Sequence, residues 1–207
     1  PQFLFWTPLI VRQPNPEGKG AIEMIDLLVN SLRMRPDRII LGEIRKQDQA
    51  EVLFEAMHTG HSVYATVHAD SMGETIRRLT NPPIKISPFL LSAVHLNVVM
   101  FRDRRKGIRR IFQVGEYLVG EENSEVKTNL LYRWKSVDDS IVLHAEPVRL
   151  FDELSTVTGM SLEDIRADLA EKEKVLKWMV AQKIRSLGEV GKVMHNYYND
   201  KKSLFKK

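Results

Sequence analysis

Two short runs of apolar, largely β-branched residues, Arg38-Ile39-Ile40-Leu41-Gly42 and Ser62-Val63-Tyr64-Ala65-Thr66-Val67, are each framed by stretches with helical apolar spacing. Ile22, Ile25, Val29 and Leu32 mark a helix within 21–34, and Arg35-Pro36 ends it because a residue preceding proline is pushed out of the helical region. Ala50, Leu53, Phe54 and Met57 mark a second helix, ended by Thr59-Gly60. Helix, strand, helix, strand, helix within the first eighty residues predicts an α/β fold with a parallel sheet. Strands of such a sheet are apolar on both faces, so these two read as buried.

The flanking segments have a different texture. Phe3, Leu4, Phe5, Trp6, Leu9, Ile10 and Val11 read as extended chain running into the turn-rich loop Pro14–Gly20. Beyond Asn81-Pro82-Pro83, 96–101 and 109–119 read as antiparallel strands joined at Arg104-Arg105-Lys106-Gly107, and 126–134 as a third strand after the turn Glu121-Glu122-Asn123-Ser124. From Val148 the pattern is helical: Ser161 with Asp164 forms a variant capping box, and Leu162, Ile165, Leu169, Leu176 and Met179 form one stripe. Leu187, Val190, Met194 and Tyr197 mark a last helix before the basic end Lys201–Lys207.

Composition narrows the chemistry. With Lys+Arg 31 against Asp+Glu 27 the net charge is only +4, which argues against a dedicated polyanion binder. The absence of cysteine excludes disulfides, thiol catalysis, iron–sulfur clusters and Cys-ligated zinc. His58 and His61 have no partner in a recognised metal spacing, and Met24, Met34 and Met57 read as core filler. No apolar run reaches the roughly 18 residues needed to span a bilayer. The basic run Arg102–Arg110 reads as a solvated hairpin tip: Asp103 interrupts it and no aromatic residue interleaves for base stacking.

In open α/β sheets, functional groups collect where strands end. Glu43 stands at the end of the first strand, placed to position an attacking water or, through water, a Mg²⁺ beside a polyphosphate. His68 stands at the end of the second, where its imidazole could hydrogen-bond a phosphate oxygen. With Arg35 and Arg45 flanking Glu43, the pattern points to a phosphate site.

Three ordered stretches carry a resemblance: Leu32–Arg45, Glu55–His61 and Ala65–Asp70. They resemble the ATPase superfamily of type II and type IV secretion systems. Val11–Gly18 and Arg77–Pro83 are most similar to its archaeal branch, which drives pilus, archaellum or secretion filaments. The resemblance implies a RecA-like P-loop core with antiparallel strands and a C-terminal helical region, with 1–120 as the C-terminal half of the ATPase domain and 121–207 as a strand plus helices. It implies Glu43 as the carboxylate closing the Walker B box, His68 as the His-box residue near the γ-phosphate, and Thr59-Gly60-His61 as a structural turn. Arg12, Arg33, Arg35 and Arg45 become candidates for phosphate contacts within or across subunits. It further implies ATP and Mg²⁺ as ligands, no direct protein ligand to the metal, a homo-hexamer, a membrane platform protein as partner, and a cytoplasmic location against the inner membrane face. Nucleic acid is not an expected partner.

One motif is missing. A phosphate-cradling loop Gly-x-x-x-x-Gly-Lys-[Ser/Thr] occurs nowhere in the 207 residues, and Gly18-Lys19-Gly20 lacks both the spacing and the hydroxyl. With Pro1 as its first residue, the chain is expected to be the C-terminal part of a larger motor, inactive by itself. The alternatives are a non-catalytic oligomerisation or docking module and a DNA-translocating relative.

Overall fold

In the computed structural model, which describes residues 6–120 and 125–199, the predicted alternation is present. Helix α1 (Met24–Leu32) opens with a capping box in which the Glu23 amide donates to Asp26 Oδ2 (2.8 Å). Strand β1 (Arg38–Leu41), helix α2 (Gln47–His58), strand β2 (Ser62–Ala65) and helix α3 (Met72–Thr80) follow. β1 and β2 pair in parallel, with Arg38 opposite Ser62 and Leu41 opposite Ala65. A Schellman turn closes α2: the His61 amide donates to the Ala56 carbonyl and the Gly60 amide to Met57, with Gly60 at φ 96°, where an L side chain is strained.

The expectation of strands buried on both faces needs correction. Ile39 and Leu41 are buried, whereas their neighbours on the other face, the cross-strand partners Ile40 and Tyr64, are 61% and 58% exposed. Among the described residues, the core lies on one side of this two-stranded sheet. The periodicity of a fully apolar run cannot say which side is covered.

After a short 3₁₀ helix (Pro88–Ala93) come four antiparallel strands in sequential order: β3 (Asn97–Asp103), β4 (Ile108–Val119), β5 (Val126–Lys135) and β6 (Ser140–Leu143). β6 and the 3₁₀ turn were not read from the sequence. The β3–β4 hairpin is as expected: Gly107 takes φ 65°, and Asp103 Oδ1 accepts from the amides of Arg105 (2.8 Å) and Lys106 (3.1 Å). One apolar core joins both sheets, and Leu28, Leu41, Leu53, Phe54, Leu91 and Tyr117 are all buried in it. Met24 and Met57 pack against this core, but Met34, expected there, is exposed beyond the end of α1.

Three consecutive residues of β4 are buried, each for its own reason. Gly115 sits where the β4–β5 register shifts; a Cβ there would come within 2.5 Å of the Asn129 carbonyl oxygen and of the buried Met72 side chain. Gly115→Ala is therefore expected to cost about 1–3 kcal/mol, read as a lower denaturant midpoint. The Glu116 carboxylate accepts from Asn129 Nδ2 (2.8 Å) and from the amides of Val148 (2.7 Å) and Leu150 (2.9 Å), where α4 (Arg149–Thr158) begins. Burial of Tyr117 raises its hydroxyl pKa to about 12, and Asn97 Nδ2 donates to that oxygen (2.5 Å).

The described residues divide into two compact units within α4: one is Leu9–Asp152, and the other contains residues 153–199 together with 6–8. In the latter, α5 (Leu162–Ala181) starts at the expected Ser161/Asp164 capping box, and a Ser–Glu pair, Ser186/Glu189, opens α6 (Leu187–Asn199) in the same way. Val175, Met179, Val193 and Tyr197 form the small core between these helices. The α5 stripe expected from sequence is only partly covered: Ile165 and Met179 are buried, whereas Leu162, Leu169 and Leu176 are about half exposed. Phe3 to Phe5, the turn at 121–124 and the basic end 201–207 lie outside the described residues.

Candidate functional site

Parallel register is what brings Glu43 and His68 together. Because Leu41 and Ala65 are partners, both strands end at the same level, and the chains leaving them stay joined: the Ile44 amide donates to the Thr66 carbonyl (3.0 Å), and the Thr66 hydroxyl donates to the Gly42 carbonyl. Ile44 is buried, so Glu43 and Arg45 on either side of it both project outward. Arg45 Nε approaches Glu43 Oε2 at 2.5 Å, and His68 Nε2 approaches Glu43 Oε1 at 3.0 Å. The Glu43 side chain is 16% exposed, while Arg45 and His68 face solvent. A half-buried carboxylate thus has each oxygen engaged by a different nitrogen base.

The loop carrying this group is fixed from behind. Gln49 on α2 is buried, and its Oε1 accepts from the Arg45 amide (3.3 Å). In front lies a cleft of ≈ 610 Å³ whose walls include Arg12, Gln13, Glu23, Glu43, Arg45 and Lys46. That volume lies within the range of small-molecule sites. Arg12 is held by a two-way backbone bridge to Ile22 and by donation from its Nε to the Gly20 carbonyl (2.6 Å). The strap that carries it is a turn built on Asn15, whose Oδ1 accepts from the amides of Glu17 and Lys19. Lys46 Nζ pairs with Glu23 at 3.5 Å and ties this strap to the loop after β1.

Of the six sequence candidates, the structure brings Glu43, His68, Arg45 and Arg12 to this region and leaves two elsewhere. Arg33 is the C-cap of α1, beside a small groove with Asp26 and Asn30. Arg35 occupies an exposed turn at φ 51°. Neither lines the Glu43 cleft. Lys46 and Gln49 were not singled out from the sequence; their signal was position alone, at the start of a helix directly after a strand-end carboxylate. His58 and His61 serve the fold: His58 Nδ1 meets the Phe54 carbonyl, its ring stacks on Phe89, and His61 Nδ1 meets the Ala56 carbonyl. Among the described residues, no helix is long and apolar enough to cross a membrane.

The family model for type II/IV secretion system proteins matches residues 9–109, the segment that holds the whole Glu43 cleft. Over that segment, just under half of its length, the chain is similar to the type II/IV secretion system proteins. Along nearly its full length it is similar to an uncharacterized protein of Methanocaldococcus jannaschii, 31% identical over 202 residues, which are 93% of this chain and 36% of that protein. It is 38% identical over 71 residues to the type IV pilus assembly ATPase PilB of Pseudomonas aeruginosa, covering 34% of this chain and 12% of the relative. Among solved structures, the Legionella pneumophila ATPase DotB is similar at 26% identity with a TM-score of 0.36, covering 48% of this chain and 29% of that one. The chain spans about a third of the length of the M. jannaschii relative.

Proposed function

We propose that these residues supply the hydrolytic half of the ATP site of a secretion or pilus-assembly motor, of the archaeal kind, that works as a homo-hexamer against a membrane platform protein at the cytoplasmic face. The observation that carries this reading is the convergence of Glu43, His68 and Arg45 beside a cleft walled by Arg12. Two guanidinium groups and an imidazole around this carboxylate and its cleft suit the terminal phosphates of ATP, and Mg²⁺ would be held through water near Glu43 rather than by direct ligation. In this reading Glu43 accepts the proton of the attacking water, His68 orients that carboxylate, and Arg45 and Arg12 offset charge on the transferring phosphoryl group. Arg33 and Arg35, away from the cleft, are left for contacts to a neighbouring subunit.

These 207 residues hold no phosphate-cradling loop, so the half-site reading requires that a separate stretch of polypeptide supply one. The test is phosphate release from Mg²⁺-ATP by this chain and by a longer gene product that includes a Gly-Lys-[Ser/Thr] loop. The longer protein should hydrolyse ATP and this chain should not. Turnover by this chain alone that disappears in Glu43→Gln would contradict the half-site reading. Absence of nucleotide binding by both proteins would favour a docking module instead.

A further inference from the structure

The four-stranded sheet has an end that the ATP-site reading does not use. The turns joining β3 to β4 and β5 to β6 lie at the same end, bridged by Arg110, whose guanidinium holds both oxygens of Asp139 at 2.6 Å. Trp134 Nε1 donates to the same carboxylate (2.7 Å), and these two donors hold Asp139 at a pKa of about 2. Over residues 100–112 and 132–141 there are eight Lys and Arg against three Asp, an excess of five where the whole chain has only +4. All three carboxylates are committed locally: Asp103 to its turn amides, Asp138 to the Ser140 hydroxyl and Asp139 to Arg110. Arg102, Arg104, Arg105, Lys106 and Arg109 are exposed and form no ion pair among the described residues.

Rings stand beside these charges. Phe101 and Trp134 lie with centroids 5.1 Å apart, Phe112 is 6.4 Å from Phe101, and the Arg133 guanidinium sits 5.6 Å over Phe112. Cross-strand pairing puts Trp134 with Ile141 and Tyr132 with Leu143, and Tyr132, Ile141 and Leu143 are exposed. The linear run Arg102–Arg110 has no interleaved aromatics, which was the ground for setting nucleic acid aside; the fold removes that ground by bringing rings from β3, β4 and β5 together.

We propose that this end of the sheet, Phe101 and Trp134 with Arg104, Arg105 and Lys106 on the adjoining β3–β4 turn, binds single-stranded nucleic acid. Unpaired bases offer a π-face to the rings while their phosphates meet the guanidinium groups, and the pairing needs no particular sequence. An acidic peptide would match the charge but not the rings. A purely apolar partner would bury an uncompensated excess of five cations.

Fluorescence anisotropy with labelled oligo-dT and oligo-U of about a dozen nucleotides tests this, and comparing the two strands separates DNA from RNA. Affinity for one or both should fall roughly 20-fold between about 50 and 200 mM salt, as expected for about three neutralised phosphates. Phe101→Ala should weaken binding about tenfold, with an unchanged salt slope. The double variant Arg104→Glu/Arg105→Glu lies on an exposed turn where folding is not at stake, and it should flatten that slope by about 1.4. No anisotropy change at the lowest salt would overturn the proposal. So would equal competition by an oligo-Glu peptide of matched charge, or wild-type affinity in the turn variant.

Discussion

Replacing Glu43 by glutamine is expected to lower ATP turnover of the motor by about 10²–10⁴-fold, the usual contribution of a positioned general base. Glutamine keeps the shape of a side chain that is only 16% exposed, so the Ile44 anchor and the Thr66 link between the strand ends should be undisturbed. What changes is basicity: an amide oxygen cannot take up a proton from water. The lost pairing with Arg45 costs little, because Arg45 faces solvent and such pairs are worth at most about 1 kcal/mol. The loss should therefore appear in kcat with KM nearly unchanged. His68→Ala should also lower kcat, but the double variant should be scarcely slower than Glu43→Gln, since His68 acts through the carboxylate. Independent, multiplying losses would show that His68 has a role of its own.

The second large effect concerns stability. Glu116→Ala is expected to destabilise the unit 9–152 by about 3 kcal/mol. Three donors converge on this carboxylate, and alanine would strand the amides of Val148 and Leu150 and the Asn129 side chain without an acceptor. An anion before the first turn of α4 also meets the positive end of the helix dipole. Burial alone would raise the pKa of Glu116, yet the hydrogen bonds from Val148, Leu150 and Asn129 outweigh it and leave the group below its ordinary 4.5. The sign follows: a carboxyl with a depressed folded pKa contributes stability above its unfolded pKa and loses it as pH falls through the folded value. Denaturant unfolding of the wild type should weaken below about pH 4.5. Glu116→Gln should start lower and lack that component, and parallel pH profiles for the two proteins would refute the assignment.

These two carboxylates also mark what the sequence made legible. Glu43 was readable because it follows an apolar run directly, and His68 because it does the same one strand later; parallel pairing turned two similar positions into one contact. Helix ends were equally plain, since Arg35-Pro36, Thr59-Gly60 and Ser161/Asp164 each act locally. Glu116 was invisible. Its partners come from β5 and from the start of α4, distant in sequence, and nothing in Val114-Gly115-Glu116-Tyr117 announces that the carboxylate points inward. The same limit explains Ile40 and the partly covered α5 stripe: apolar spacing reports which residues can be buried, whereas the neighbouring layer decides which ones are. Arg12 and Arg35 looked alike as candidates, and what separates them is the backbone bridge to Ile22 and the bond to the Gly20 carbonyl that hold Arg12 at the cleft.

The paired strand ends make the stretch between Glu43 and His68 behave as a ruler. Its length is absorbed by α2 and the Gly60 turn, but its two ends are pinned by Leu41 opposite Ala65 and by the Ile44–Thr66 link. Sliding β2 by one residue would turn Val63 out of the core and carry His68 about 3.3 Å along the strand axis, beyond reach of the carboxylate. Insertions and deletions inside β2 should therefore be strongly excluded in functional descendants of this chain.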